Sequence, residues 1–99
     1  MVRVVVENIV LNIATSTPIV ILKDTETGGI LPIVIGLFEA QAILLILEKE
    51  EFSRPLTHDL LKSVIEHMNG KIMKLEIHSL RENTYYANLI IESDKGQIK

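Results

Sequence analysis

The sequence predicts an α+β domain in which a mostly antiparallel or mixed sheet of about five to six strands carries two helices. Three observations point there. Apolar residues alternate in short runs towards both ends of the chain, helical spacing is confined to the middle, and tight turns rather than helical crossovers join the runs.

Val2 to Ile13 reads as a long strand whose apolar phase changes. Val2, Val4 and Val6 keep one parity, while Ile9, Leu11 and Ile13 keep the other, which predicts a β-bulge near Glu7 and Asn8. Residues 14 to 17 are a turn, and Pro18 to Lys23 is the second strand. Asp24-Thr25-Glu26-Thr27-Gly28-Gly29 is a hairpin loop of turn-forming residues. Ile30 to Ile35 is the third strand. Pro32 lacks a donor for the ladder, so this strand belongs at an edge or a bulge.

Gly36 ends the strand, and Leu37 to about Glu50 predicts a helix that is apolar nearly all round between Ala42 and Leu47. Such a helix is covered on two sides or packs on another chain. Residues 52 to 56 connect it to a second helix, from an N-cap at Thr57 to about Met68, stopped by Asn69-Gly70. Leu60, Leu61, Val64, Ile65 and Met68 form its apolar stripe. Lys71 to Leu80 and Thr84 to Ser93 form a hairpin about Arg81-Glu82-Asn83. Met73, Leu75 and Ile77 are expected to face in, with Lys74, Glu76 and His78 facing out. Asp94-Lys95-Gly96 is a turn, and Gln97 to Lys99 begins a further strand.

Ninety-nine residues allow one domain, 1–99, with one core. The absence of cysteine excludes disulfides, thiolate catalysis and sulfur-ligated zinc. Arg3 and Glu7 interrupt the first apolar run, and no run is long enough to span a bilayer, so the expected setting is cytoplasmic, away from membranes. A net charge of −3 with scattered Lys and Arg gives no basic face of the kind nucleic-acid binding favours. Two helices are too few to cover both faces of the apolar strands, which predicts a homo-oligomer, first of all a dimer.

The run Arg54-Pro55-Leu56-Thr57-His58-Asp59-Leu60 concentrates the chemistry. It sets a guanidinium, a hydroxyl, an imidazole and a carboxylate around a helix start, where free N–H groups favour an anion such as phosphate. In that reading Arg54 and Thr57 bind substrate, His58 acts as general acid or base, and Asp59 orients it. The architectural reading of the same run is a rigid connector: Pro55 stiffens the chain, Thr57 caps, and Asp59 complements the helix dipole. Elsewhere, His67 suits the last turn of its helix as a dipole partner, and His78 is a solvated surface residue. Asp59, Lys62 and Glu66 read as a solvated stripe. Glu48, Glu50 and Glu51 crowd a helix C-terminus, where a cation would be welcome but exposed glutamates are common.

In residues 31 to 36 (Leu-Pro-Ile-Val-Ile-Gly), in Glu39-Ala40 with Ile43, in residues 54 to 60, and in Thr84-Tyr85-Tyr86-Ala87, the sequence resembles the bifunctional nuclease family of bacteria and plants. The likeness runs over essentially the whole chain. It implies a cytosolic hydrolase of RNA and DNA. Within that reading His58 is the candidate catalytic acid or base, Asp59 or Glu39 is the candidate metal ligand or orienting carboxylate, and a divalent metal is an open cofactor. The family pattern continues into an Arg-Pro-Ser-Asp-Ala motif that has no counterpart in this sequence, which leaves three expectations open: a fragment truncated at the C-terminus, an inactive relative, or a domain that takes the missing element from a partner. Two alternatives stand beside the nuclease reading. One is a non-catalytic oligomeric binding or regulatory domain in which the 54–59 run is architectural. The other is a domain that binds a small anionic metabolite at the helix start.

Overall fold

The computed structural model describes residues 2–50 and 56–98, so Arg54, Pro55, Glu51 and Lys99 lie outside the described residues. Six strands and two helices follow in the order βββα-αβββ: β1 (Val4–Asn12), β2 (Thr17–Asp24), β3 (Ile30–Val34), α1 (Leu37–Leu47), α2 (Thr57–His67), β4 (Lys71–Arg81), β5 (Thr84–Ser93) and β6 (Gly96–Ile98). The α+β class is the one expected. The strands are shared between two wholly antiparallel sheets, ordered β1-β2-β3 and β4-β5-β6. The chain divides into two compact units, Met1–Arg54 and Pro55–Lys99, each a three-stranded sheet with one helix.

In the first unit, the register between β1 and β2 shifts between Val6 and Asn8, where the phase change in the sequence put a bulge. The extra residue, Glu7, lets Val4, Val6, Ile9 and Leu11 share one face with Pro18, Val20 and Leu22 despite their different parity. Pro18 and Val20 are buried on that face. Helix α1 packs on β1 and β2 and buries Ala40. Pro32 sits in an edge strand, β3, which pairs with β2 on one side, as a residue without an N–H requires. The opposite face carries Val5, Val10, Ile19, Ile21, Ile30 and Val34, with Val5, Val10, Ile30 and Val34 exposed.

The β2–β3 loop is built around Asp24. Its carboxylate accepts the N–H of Glu26 (2.9 Å) and the hydroxyl of Thr27 (2.9 Å), while its carbonyl accepts the N–H of Gly28 (2.9 Å). Those donors, first the Glu26 amide and then the Thr27 hydroxyl, hold the Asp24 carboxyl below the ordinary carboxylate range.

Helix α1 ends at Leu47, short of the expected Glu50. Lys49 takes a left-handed φ of 56°, and Glu50 N–H donates to the Leu45 carbonyl (2.9 Å) while Lys49 N–H donates to Ile46 (3.2 Å). This is a Schellman closure made without glycine. Helix α2 closes in the same way. Asn69 is its left-handed residue (φ 64°), and Gly70 N–H donates to the Ile65 carbonyl (2.9 Å). Gly70 serves close approach instead: a Cβ there would lie 2.9 Å from Ile65 Cγ2, 3.0 Å from the Ile65 carbonyl oxygen and 3.0 Å from Ile91 Cγ2. That junction ties the end of α2 to β5.

In the second unit, β4 does not keep the simple alternation expected of it. Its register against β5 shifts between Ile72 and Lys74 and again between Ile77 and Ser79, so Met73 and His78 are extra residues at two bulges. Ile72, Leu75, Ile77 and Leu80 share one face with Tyr85, Ala87, Leu89 and Ile91. Lys74, Glu76, Ser79 and Arg81 share the other with Thr84, Tyr86, Asn88 and the buried Ile90. Met73 and Leu75, expected to face in, are exposed, and Ile77 is half-buried. Glu82 (φ 49°) and Asn83 (φ 64°) make the two-residue hairpin turn, both left-handed as the twist of the strands demands.

Few side chains are fully enclosed. Among the described residues the buried ones are Pro18, Val20, Ala40 and Ile90. Leu37, Phe38 and Ile46 of α1 are exposed, and on the apolar stripe of α2 only Ile65 is half-buried, with Leu60, Leu61, Val64 and Met68 exposed. Among the described residues no helix is long and apolar enough to cross a membrane.

Candidate functional site

The start of α2 is set by competition between two capping signals. Thr57 is a good N-cap by residue type, yet it is the first helical residue, and Leu56 holds the N-cap position in extended conformation (φ −84°, ψ 170°). The reason lies three residues on. With Leu56 as cap, Asp59 falls at the third helical position, and its carboxylate accepts the Leu56 N–H at 2.8 Å. A cap at Thr57 would put Leu60 there, which has no acceptor. Leu56 offers no side-chain oxygen in return, so the box is one-sided.

Thr57, His58 and Asp59 therefore occupy the first turn, and all three are exposed. The first intrahelical bond is donated by Leu60 to the Leu56 carbonyl (3.0 Å), so the N–H groups of residues 57 to 59 precede it. These amides and the positive end of the helix dipole favour an anion. Asp59 offsets part of that potential, because its carboxylate is already committed to the same helix end. His58 is open to solvent and free to meet a solute, the condition an acid–base role imposes. Arg54, the expected phosphate ligand, lies outside the described residues.

Glu39 occupies the matching position in α1, in the other unit. It is the third helical residue after the N-cap Gly36 (φ −79°, ψ 163°), and it is exposed. Its carboxylate folds back over Gly36, where an added Cβ would collide with it. Both candidate acids thus stand in a first turn where a helix dipole favours them irrespective of chemistry. Among the described residues no group of three or more His, Asp or Glu side chains gathers to hold a metal ion, Glu48 and Glu50 included.

His67 has a structural partner: its Nδ1 lies 2.8 Å from the Ser63 carbonyl, which makes that nitrogen the donor and anchors the ring along the last turn. The Asp59–Lys62–Glu66 stripe is solvated, the ion pair within 4 Å among the described residues being Lys74–Glu76 at 3.4 Å. The turn end of the β4–β5 hairpin, where Thr84 to Ala87 share in the family likeness, carries no functional role in the sequence reading. There Arg81 lies over the Tyr86 ring at 5.3 Å from its centroid, and His78 Nδ1 meets the Ser79 hydroxyl at 2.7 Å. Arg81 and Tyr86 meet because the two-residue turn at Glu82-Asn83 pairs Arg81 with Thr84 and Ser79 with Tyr86.

Two relatives in Mycobacterium tuberculosis, from strains CDC 1551 and H37Rv and both named only as uncharacterized proteins, are 39% identical over 75 residues, covering 76% of this chain and 46% of theirs. The chain spans about half the length of these curated relatives. The family model described as the bifunctional nuclease domain matches residues 20–99, from within β2 onward and including both helix starts; the chain belongs to the bifunctional nuclease domain family.

Proposed function

We propose that this domain hydrolyses phosphodiester bonds of RNA and DNA in the cytoplasm, with His58 as its acid–base group. One observation carries the reading: in a chain of the bifunctional nuclease domain family, a solvent-open imidazole stands in the first turn of α2, at an electropositive helix end. The substrate phosphate is bound there by the amides of residues 57 to 59, by the Thr57 hydroxyl and by Arg54. Neutral His58 accepts a proton from water as the water oxygen attacks phosphorus. The bond from phosphorus to the departing ester oxygen breaks, and that oxygen takes up a proton from the imidazolium or from solvent. Asp59 holds the helix start in shape through Leu56, and Glu39 is a second candidate carboxylate. The test is cleavage of single-stranded RNA and DNA by the parent and by His58→Ala, with and without divalent metal. Equal rates remove His58 from the mechanism.

A second reading has its own support. The Asp59 carboxylate is engaged with Leu56 N–H, and large apolar side chains on α1, α2 and both sheets are exposed. A large apolar side chain fully buried contributes about 1.5–3 kcal/mol relative to exposure, which favours association. In this reading the domain is an oligomeric binding or regulatory module, a dimer first of all, and the 54–59 run is architectural. Sedimentation at several concentrations tests the association, and loss of stability in His58→Ala without any measurable cleavage by the parent supports the module.

A further inference from the structure

We propose that the polar face at the turn end of the β4–β5 hairpin is a docking surface for single-stranded nucleic acid, with Tyr86 as a stacking platform and Arg81 as its phosphate contact. The proposal rests on the nuclease reading for its choice of partner, and on the hairpin for its geometry. Arg81 and Tyr86 lie on one face because the Glu82-Asn83 turn pairs Arg81 with Thr84, two residues from Tyr86. The guanidinium stands 5.3 Å from the ring centroid, close enough for cation–π attraction, so the ring is held in place before any ligand arrives. Yet Tyr86 keeps 45% of its surface open and Arg81 is exposed, so neither is spent on the core.

The neighbours suit an unpaired strand. Ser79 lies directly across from Tyr86, and its hydroxyl meets the His78 imidazole at 2.7 Å, which sets two further polar groups beside the ring. Lys74 sits on the same face further along β4. Aromatic rings accept any base by stacking, and single-stranded binding sites combine such rings with cations that follow the backbone. A duplex hides its base faces and would gain nothing from the ring. The opposing charges are Glu76, paired with Lys74 at 3.4 Å, and Glu82 in the turn. Affinity is therefore expected to be modest and strongly dependent on salt.

The test is fluorescence anisotropy of labelled oligo-uridine and oligo-thymidine with the 99-residue chain in chelator, so that no metal-dependent cleavage intrudes. Tyr86→Ala is expected to weaken binding about 5- to 100-fold. Arg81→Ala is expected to weaken it and to lower the slope of log K against log salt by about 0.7. Glu82→Gln is expected to tighten it. Tyr86→Phe, which retains the ring, should bind as the parent does and controls for folding. His58→Ala should also bind as the parent does, so loss of cleavage with intact binding separates the two claims. Parental affinity in both Tyr86→Ala and Arg81→Ala, absence of binding by the parent, or preference for duplex would overturn the proposal.

Discussion

Replacing Gly70 by alanine probes the joint that fixes α2, and with it His58, to the second sheet. The added methyl would lie 2.9 Å from Ile65 Cγ2 and 3.0 Å from both the Ile65 carbonyl oxygen and Ile91 Cγ2. All three are tighter than ordinary contact, and one is backbone, which cannot swing aside. Overpacking of this kind costs about 1–3 kcal/mol. Alanine also restricts the unfolded chain, which returns about 0.4–1 kcal/mol, and Gly70 has no left-handed φ to lose. The net expectation is about 1–2 kcal/mol of destabilisation, or roughly 4–8 °C in Tm for each kcal/mol. Urea unfolding at two protein concentrations measures it and separates folding from association. Gly36→Ala is the matched control: its Cβ meets the mobile end of Glu39, so the cost should stay below about 1 kcal/mol. Equal stability of Gly70→Ala and the parent would refute the packing argument at this joint.

Two further predictions follow from local hydrogen bonds. Asp59→Ala removes the acceptor for Leu56 N–H and should lower stability by about 1 kcal/mol, measured by urea unfolding at neutral pH, whereas Asp59→Asn should recover part of that loss. Asp24 is depressed in the folded state by its bonds to Glu26 and Thr27, so its contribution is complete above the unfolded carboxylate value and is lost as pH falls through the lower folded one. Stability of the parent should therefore decline below about pH 4 more steeply than that of Asp24→Asn, as followed by thermal unfolding between pH 2 and 6.

The residues that announce themselves in sequence are those whose effect is local. The parity change around Glu7 marks a bulge because two valine and isoleucine patterns cannot otherwise share a face. Asp24 to Gly29, Pro32 and Asn69 act through backbone preferences that do not depend on distant partners, whereas the need for glycine at position 70 comes from Ile65 and Ile91. The start of α2 was half legible: both Thr57 and Asp59 are capping signals, and which one prevails depends on the acceptor at the third position. The end of α1 was misplaced because Lys49 adopts a left-handed conformation that residue type does not favour. In β4, two bulges without glycine shifted the faces, while the meeting of Arg81 with Tyr86 arises only once the turn narrows to Glu82-Asn83 and pairs Arg81 with Thr84. At the candidate site, the exposure of His58 follows from its place in a first turn, while the commitment of Asp59 to the helix end emerges only from the geometry.

In the proposed mechanism the imidazole of residue 58 moves the proton when a phosphodiester bond is broken. Single-turnover cleavage of a labelled single-stranded RNA by the parent and by His58→Ala, at matched folded concentration, measures this directly. The expected rate in the variant is lower by about 10²–10⁴-fold. Indistinguishable rates, in the presence of a parent that does cleave, would contradict it.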